Sequence, residues 1–247
     1  MKTTCLFAAL ALAGTRLWAA EPPLPADTIP TALGPLQIFP INHATFALQC
    51  SGKTIYVDPV GGGKAFEGLP KPDLILVTHI HGDHFSTETL AAVVGSGTKL
   101  VAPPSVADQL PANLKDRTTV LKNGQSGEVA GVRMEAIPAY NTTPERLKFH
   151  PKGRDNGYVV TLGDKRIYIS GDTEDIPEMR ALKNIAAGFL CMNLPYTMTP
   201  EQAASAVREF KPAIVYPYHS RGTDLEVFKS KVGKDTGVEV RLLNWYK

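Results

Sequence analysis

The sequence predicts an α/β fold, and three of its features indicate this class. Short apolar runs with β-branched members, such as residues 74–77, are typical of buried strands. Two of these runs precede a helical segment that leads into another strand, which is the order of a crossover unit in a sheet. Residues that bind metals stand at the ends of several strands, and clefts form at such an edge of a sheet.

The end of the strand at residues 74–77 carries the densest group of chemically active residues. This apolar run follows Pro70 and Pro72 and stops just before the phrase HIHGDHF. Gly82 lets the loop fold back, so neighbouring side chains can converge. Imidazoles and carboxylates are the ligands that zinc and similar divalent cations select. Four candidate ligands lie within six residues: His79, His81, Asp83 and His84.

Two strands are expected upstream of this loop, in residues 36–59. A turn at Ser51 and Gly52 separates them, and the second strand ends at Asp58. An Asp-Pro pair at this point is a common turn starter. His43 has two readings: it lines the mouth of a metal site, or it is a core histidine with its hydrogen bonds satisfied.

A helix and another strand are expected after the histidine loop. Ser86 or Thr87 is placed to cap a helix that runs through Val94, and the phrase KLVAP predicts the strand. Residues 103–131 contain a predicted helix at 107–114 and no chemical motif. We therefore assign this segment to the scaffold.

The second half of the chain repeats the same order of elements. The phrase RIYIS predicts a strand, and Asp172 follows at its end, where a carboxylate can bridge two cations. Another buried strand, AAGFLCMNLP, precedes a helix that begins with a capping box at Thr199. The next strand, AIVYPY, ends directly before His219. Asp172 and His219 are therefore further candidate metal ligands.

The phrase HIHGDH after an apolar strand resembles the HxHxDH signature of the metallo-β-lactamase-fold superfamily of metal-dependent hydrolases. The resemblance implies a four-layer αββα sandwich, with two mixed sheets and helices on their outer faces. It also implies that Asp172 and His219 match the fourth and fifth motifs, and that Asp58 supports the histidine loop. The phrases IYISGDT and NLPYTMTPEQA are most similar to the uncharacterised hydrolases near L-ascorbate-6-phosphate lactonase.

One position departs from the superfamily pattern. A histidine is expected soon after the strand VRMEAIPA, but this chain has Asn141 there. His150, nine residues further on, is the expected substitute, because a loop of this length can fold back on its own strand. Asn141 would then contact a water molecule or the substrate, since an amide is a poor zinc ligand. If neither residue contributes, the first site is open or a single ion is bound.

The resemblance implies a metallo-hydrolase with one or two Zn²⁺ ions, manganese and iron being the alternatives. A metal-bound hydroxide would attack an ester, lactone, amide or phosphoester of a small substrate, and Asp83 would bind metal and accept a proton. Two other function classes remain open: an iron-dependent redox enzyme on the same scaffold, and a noncatalytic metal-binding or partner-binding protein. Candidate substrate-binding residues are His43, Asn141, Tyr196, Tyr218 and Arg221.

The N-terminus predicts export. Lys2 precedes an apolar stretch at residues 5–13, and small residues stand before a Pro-rich segment, which is typical of a secretory signal peptide. The expected organisation is a signal peptide at residues 1–20, a Pro-rich linker at 21–35 and the hydrolase domain at 36–247. A periplasmic protein without a membrane anchor is expected after cleavage.

Charge indicates the class of binding partner, and the positions of the cysteines indicate their redox state. Loss of Lys2 and Arg16 with the signal peptide reduces 26 basic residues to 24, which equals the 24 acidic residues. Proteins that bind phosphate backbones carry a basic excess, so we expect a small-molecule substrate and no nucleic acid. The oligomeric state stays open. Cys50 and Cys191 lie in apolar runs and are expected to be buried thiols rather than a disulfide.

Overall fold

Two seven-stranded sheets are built from consecutive parts of the chain in the computed structural model, which describes residues 23–246. The predicted signal peptide at residues 1–20 lies outside the described residues. The first sheet is antiparallel from β1 to β4 and parallel from β4 to β7. Its strands, in spatial and chain order, are β1 (Asp27–Thr31), β2 (Gly34–Asn42), β3 (Thr45–Cys50), β4 (Lys53–Val57), β5 (Leu74–Leu76), β6 (Lys99–Ala102) and β7 (Thr118–Val120).

The second sheet has the same plan. It is antiparallel from β8 to β11 and parallel from β11 to β14, and its strands also lie in chain order across the sheet. They are β8 (Ser126–Val129), β9 (Val132–Ala139), β10 (Asp155–Leu162), β11 (Lys165–Ile169), β12 (Ile185–Cys191), β13 (Ile214–Tyr218) and β14 (Glu239–Val240).

Helices connect the parallel strands. Between residues 23 and 246, none of them combines the length and apolar character needed to cross a membrane. They are α1 (Thr87–Val93), α2 (Pro104–Ala107), α3 (Ala112–Lys115), α4 (Pro177–Arg180), α5 (Pro200–Phe210) and α6 (Leu225–Val232).

Alternate residues of the first sheet face different apolar layers. Leu48 and Leu76 belong to the core between the two sheets, whereas Ala47 and Ile75 belong to a second core under α1, α2 and α3. Successive strand residues point to opposite faces, so both faces of this sheet are apolar and buried. On the second sheet, α5 packs against β12 and buries Val207. Helices therefore cover the outer faces, and the predicted αββα sandwich is confirmed.

The predicted linker at residues 21–35 is wrong in its second half. Residues 27–31 form β1, which pairs antiparallel with β2. Ile29 is buried in the core, and Tyr216 donates a hydrogen bond to Asp27 at 2.9 Å. In the sequence, Pro30 argues against a strand at this position. A proline is tolerated here because β1 lies at the edge of the sheet.

Two other segments differ from their predicted elements. Residues 36–59 form three strands rather than two, because the chain turns at His43, whose φ is 55°. The predicted helix at 107–114 is divided into α2 and α3, since Pro111 cannot continue a helix and instead precedes the first residue of α3. The Thr199 capping box is present, and Cys50 and Cys191 are both buried and free, as expected.

Candidate metal centre

The loop after β5 gathers its four predicted ligands at the edge of the first sheet. Backbone N–H groups of His84 and Phe85 both donate to the carbonyl of His81, at 2.9 and 2.8 Å, which closes a tight turn. The turn brings the His79 and His84 rings to a centroid distance of 4.0 Å and the His79 and His81 rings to 4.7 Å. Local chain folding therefore creates half of the cluster.

The other half comes from strand ends of the second sheet. His150 lies between β9 and β10, Asp172 follows β11, and His219 follows β13; all three are buried. The Asp172 carboxylate is central to the cluster. Its Oδ2 lies 3.4 Å from the Nε2 atoms of His150 and His219, and its Oδ1 lies 3.4 Å from His84 Nε2.

Three overlapping groups of side chains present donor atoms that lie within 4.8 Å of one another. Two of the groups share Asp172, and two share His219, so neighbouring cations could be held side by side. The groups are His79, His81, His150 and Asp172; His84, Asp172 and His219; and His43, Asp83 and His219.

Unpaired buried atoms show that this cluster fits a cation. Among residues 23–246, the Nε2 atoms of His79, His84 and His150 and Oδ1 of Asp172 are buried without a hydrogen-bond partner. Such atoms are rare in folded proteins because an unpaired buried polar group is costly. Four of them within one cluster of imidazoles and a carboxylate match the needs of a divalent metal ion.

Hydrogen bonds at the Nδ1 atoms of His79 and His84 orient these rings and direct their Nε2 atoms into the cluster. Asp58 accepts from the Thr78 hydroxyl and from His84 Nδ1, each at 2.7 Å. Since the Thr78 hydroxyl gives its only proton to Asp58, it accepts from His79 Nδ1 at 2.9 Å. Both rings therefore carry a proton on Nδ1, and each Nε2 atom faces the cluster. Asp58 therefore contacts the histidine loop through both of its oxygens.

His150 is held in the same way by a residue that sequence reasoning missed. Its Nδ1 lies 3.2 Å from Asp155 Oδ2. Arg154 donates to both oxygens of Asp155, at 2.7 and 2.8 Å, and lies 3.5 Å from His81 Nε2. The signal available in the sequence was the phrase RDNG, an Arg-Asp pair placed just before β10 and close to His150.

The electrostatics of the cluster favour cation binding. Burial, together with the neighbouring His84 and His150, holds the pKa of His79 well below its ordinary value, so this imidazole is neutral. Burial alone would lower the pKa of His84, but the carboxylates of Asp172 and Asp58 raise it to about 9. Positive charge is therefore stabilised at His84 Nε2, and a bound cation can take the place of that proton.

Known proteins share this fold and sequence. A family model described as a beta-lactamase superfamily domain matches residues 37–219. A UPF0173 metal-dependent hydrolase from Thermococcus onnurineus is 34% identical over 206 residues, which cover 78% of this chain and 90% of that protein. The chain belongs to this superfamily of metal-dependent hydrolases.

Two solved structures share the fold. A crystal structure from Parabacteroides distasonis is 42% identical, with a TM-score of 0.81, and the match covers 90% of this chain and 98% of that one. Igni18, a metallo hydrolase from Ignicoccus hospitalis, shares the fold at 22% identity and a TM-score of 0.70, with coverage of 86% and 96%.

A cavity of about 360 Å³ opens beside the cluster of candidate ligands around Asp172. Tyr196 and Arg221, two of the predicted substrate-binding residues, line it, and so does His43. Phe149 and Asn193 also line the cavity, and sequence reasoning missed both. These two residues lie in long loops, where no periodic pattern points to a site.

His43 is fixed between the cavity and the C-terminal segment. Its ring centroid lies 3.8 Å from that of His219, and its Nε2 lies 3.4 Å from Asp83 Oδ2. On the other side, Nδ1 lies 2.9 Å from the Tyr246 hydroxyl. His43 therefore lines the cavity, and both of its ring nitrogens have a partner.

Two of the candidate substrate-binding residues do not line this cavity. Tyr218 is fully buried in the core, with its ring 5.9 Å from Phe46 and 5.7 Å from Trp245. The substrate-binding interpretation of Tyr218 is therefore wrong. Asn141 is also buried, and its amide donates to the backbone carbonyls of Arg146 at 3.0 Å and Tyr196 at 2.7 Å. Its amide nitrogen therefore ties two loops together, while its Oδ1 is buried without a hydrogen-bond partner.

Proposed function

We propose that this chain hydrolyses a small ester, lactone, amide or phosphoester with zinc bound in the Asp172 cluster. The observation that carries the proposal is the set of unpaired Nε2 atoms of His79, His84 and His150 around Asp172. This donor chemistry suits zinc, and the adjoining cavity of about 360 Å³ suits a small molecule.

The bound ion would supply a Lewis acid and a water-derived nucleophile at neutral pH. His79, His81 and His150 with Asp172 would hold one ion, and His84, His219 and Asp172 a second. The chain's own part is to fix these donors. The Nδ1 atoms of His84 and His150 do so by donating hydrogen bonds to the carboxylates of Asp58 and Asp155.

Asp83 is the residue placed to handle the proton. Its side chain is 49% exposed, and its Oδ2 lies 3.4 Å from both His43 Nε2 and His219 Nε2. Although burial would raise the pKa of Asp83, contacts with His219 and His43 lower it, so Asp83 is a carboxylate that can orient water.

Asp83 would carry one proton from the water molecule to the leaving group. The water oxygen forms a bond to the carbonyl carbon or phosphorus as its proton moves to Asp83 Oδ2, the bond to the leaving group breaks, and that proton passes to the leaving group. Arg221 and Asn193 line the same cavity and would bind the polar end of the substrate.

Metal reconstitution tests the proposal. Metal-free protein is reloaded separately with zinc, manganese and ferrous iron, then assayed on ester, lactone, amide and phosphodiester substrates. We expect zinc to restore hydrolysis of at least one class, and Asp83→Ala loaded with zinc to remain inactive. Oxygen consumption with iron alone, and no hydrolysis with any metal, would instead support a redox enzyme. Full metal loading without either activity would support a noncatalytic metal-binding protein.

A further inference from the structure

Two loops place aromatic rings beside the cluster of candidate ligands around Asp172. Phe149 comes from the loop between β9 and β10, and Tyr196 comes from the loop between β12 and α5. Their ring centroids are 5.0 Å apart at an interplanar angle of 74°, an edge-to-face pair. Both side chains line the cavity that also contains His81, His150 and Asp172.

The same two loops expose apolar side chains. Leu147 is 46% exposed, Leu194 is 48% exposed and Tyr196 is 45% exposed. Connecting loops are normally polar, and exposed apolar side chains near a cleft often mark a binding site. We call Phe149 and Tyr196, which line the cavity, the apolar wall; Leu147 and Leu194 each lie two residues before them in the chain.

The apolar wall is held in place by buried polar contacts. Asn141 joins both loops through its bonds to the carbonyls of Arg146 and Tyr196. The Arg146 guanidinium donates to the carbonyl of Thr197 at 3.1 Å and to the carboxylate of the buried Glu174. These contacts fix the wall before a substrate arrives, so little ordering of the loops would oppose binding.

We propose that the apolar wall is a subsite for an acyl chain or aryl group next to the scissile bond. The inference rests on the proposed hydrolase function and narrows its substrate class to molecules with an apolar substituent. Continuity with the catalytic cavity supports this occupant, because Phe149 and Tyr196 line the same space as the metal-binding side chains. A substrate anchored there would bring its ester, lactone or amide group to Asp83 and the cluster.

Binding of straight-chain carboxylates tests the subsite without requiring turnover. Acetate, butyrate, hexanoate and octanoate, which are the products of a fatty acyl ester, are titrated into zinc-loaded protein by calorimetry. We expect affinity to rise about two- to fourfold for each added methylene, because each one leaves water for the wall. In Tyr196→Ala and Phe149→Ala, affinity should depend less on chain length. In Tyr196→Phe, affinity should rise with chain length as in wild type. Val120→Ala alters an exposed apolar side chain outside this cavity and is the matched control. It should keep the wild-type dependence of affinity on chain length.

Turnover of nitrophenyl esters with the same chain lengths separates the two proposals. Chain-length-dependent binding that Tyr196→Ala abolishes supports the subsite even when no ester is hydrolysed, so absent hydrolysis counts against the proposed function alone. Equal affinity for acetate and octanoate would overturn the subsite. A concentration-dependent dimer that dissociates in Leu147→Ser and Leu194→Ser would also overturn the subsite, because a second copy of the chain would then cover these loops.

Discussion

His84 Nδ1 donates a hydrogen bond to Asp58 Oδ2 over 2.7 Å, and both side chains are completely buried. The other oxygen of Asp58 accepts from the backbone N–H of Thr78 at 2.7 Å. Asp58 thus couples the end of β4 to the first residues of the histidine loop. The bond sets the direction of His84 Nε2 although Asp58 is not in any of the three donor groups.

Replacing Asp58 with asparagine should weaken metal binding. The amide keeps the size of the carboxylate but removes its charge and one of its acceptor oxygens. We expect zinc affinity to fall about 10- to 100-fold, measured by competition with a chelator. Asp73→Asn is the control, because Asp73 accepts from the Thr54 N–H at 2.9 Å outside the cluster. Equal affinities for Asp58→Asn and wild type would contradict the supporting role of Asp58.

Substitutions at His150 and Asn141 distinguish which of the two residues is a metal ligand. His150→Ala should lower the metal content of dialysed protein, because it removes a buried Nε2 that faces the cluster. Asn141→Ala should keep the metal content and reduce the free energy of unfolding by about 1–3 kcal/mol, since two buried hydrogen bonds are lost. Mass spectrometry for metal and chemical denaturation measure the two effects. The opposite pattern would make Asn141 the ligand.

The local parts of the site could be predicted from the sequence. His79, His81, Asp83 and His84 lie in one loop, so a short phrase is sufficient to bring them together. Strand ends predicted the approach of Asp172 and His219, because parallel strands end at the same edge of a sheet.

Contacts between distant residues could not be predicted in the same way. The Nδ1 atom of His43 meets the Tyr246 hydroxyl 203 positions away in the chain, and no pattern near either residue reports the other. Strand periodicity did indicate the burial of Tyr218, since it lies two residues after Tyr216 and shares its face of β13. Both side chains belong to the core between the sheets.

Replacing Asp83 with alanine should abolish turnover while the fold survives. Its half-exposed side chain contributes little to packing, and its role is to orient water and accept a proton. We expect kcat to fall by about 10²- to 10⁴-fold with an unchanged melting temperature. Asp164→Ala is a control of matched exposure, because the Asp164 side chain is 48% exposed and lies outside the cavity. Near-normal kcat in Asp83→Ala would rule out this role.

Stability at acid pH should depend on Glu174. Burial alone would raise the pKa of Glu174, but hydrogen bonds from Thr143, Thr142 and Arg146 hold it at about 2. A carboxylate whose pKa is lower in the folded state stabilises the protein fully above the unfolded value, near 4.5, and this stability is lost as the pH falls toward 2.

Glu174→Gln isolates this contribution. In metal-free protein, the free energy of unfolding of Glu174→Gln should be lower than that of wild type by about 1–3 kcal/mol at neutral pH. This difference should shrink below about pH 4. A constant difference across this range would show that the charge of Glu174 is not involved. Since Arg146 also bonds Thr197, the variant should loosen the apolar wall as well.

Arg221 should select substrates that carry a negative charge. Its guanidinium lies 4.9 Å from the centroid of the Tyr246 ring and lines the cavity beside His219. Arg221→Ala should raise KM about tenfold for an ester with a distal carboxylate and leave KM for its neutral analogue unchanged, because only the first loses a charge-assisted hydrogen bond. Tyr218→Phe is the control and should change neither KM, because the Tyr218 ring lies in the core. An equal rise for both esters would mean that Arg221 shapes the cavity rather than recognising charge.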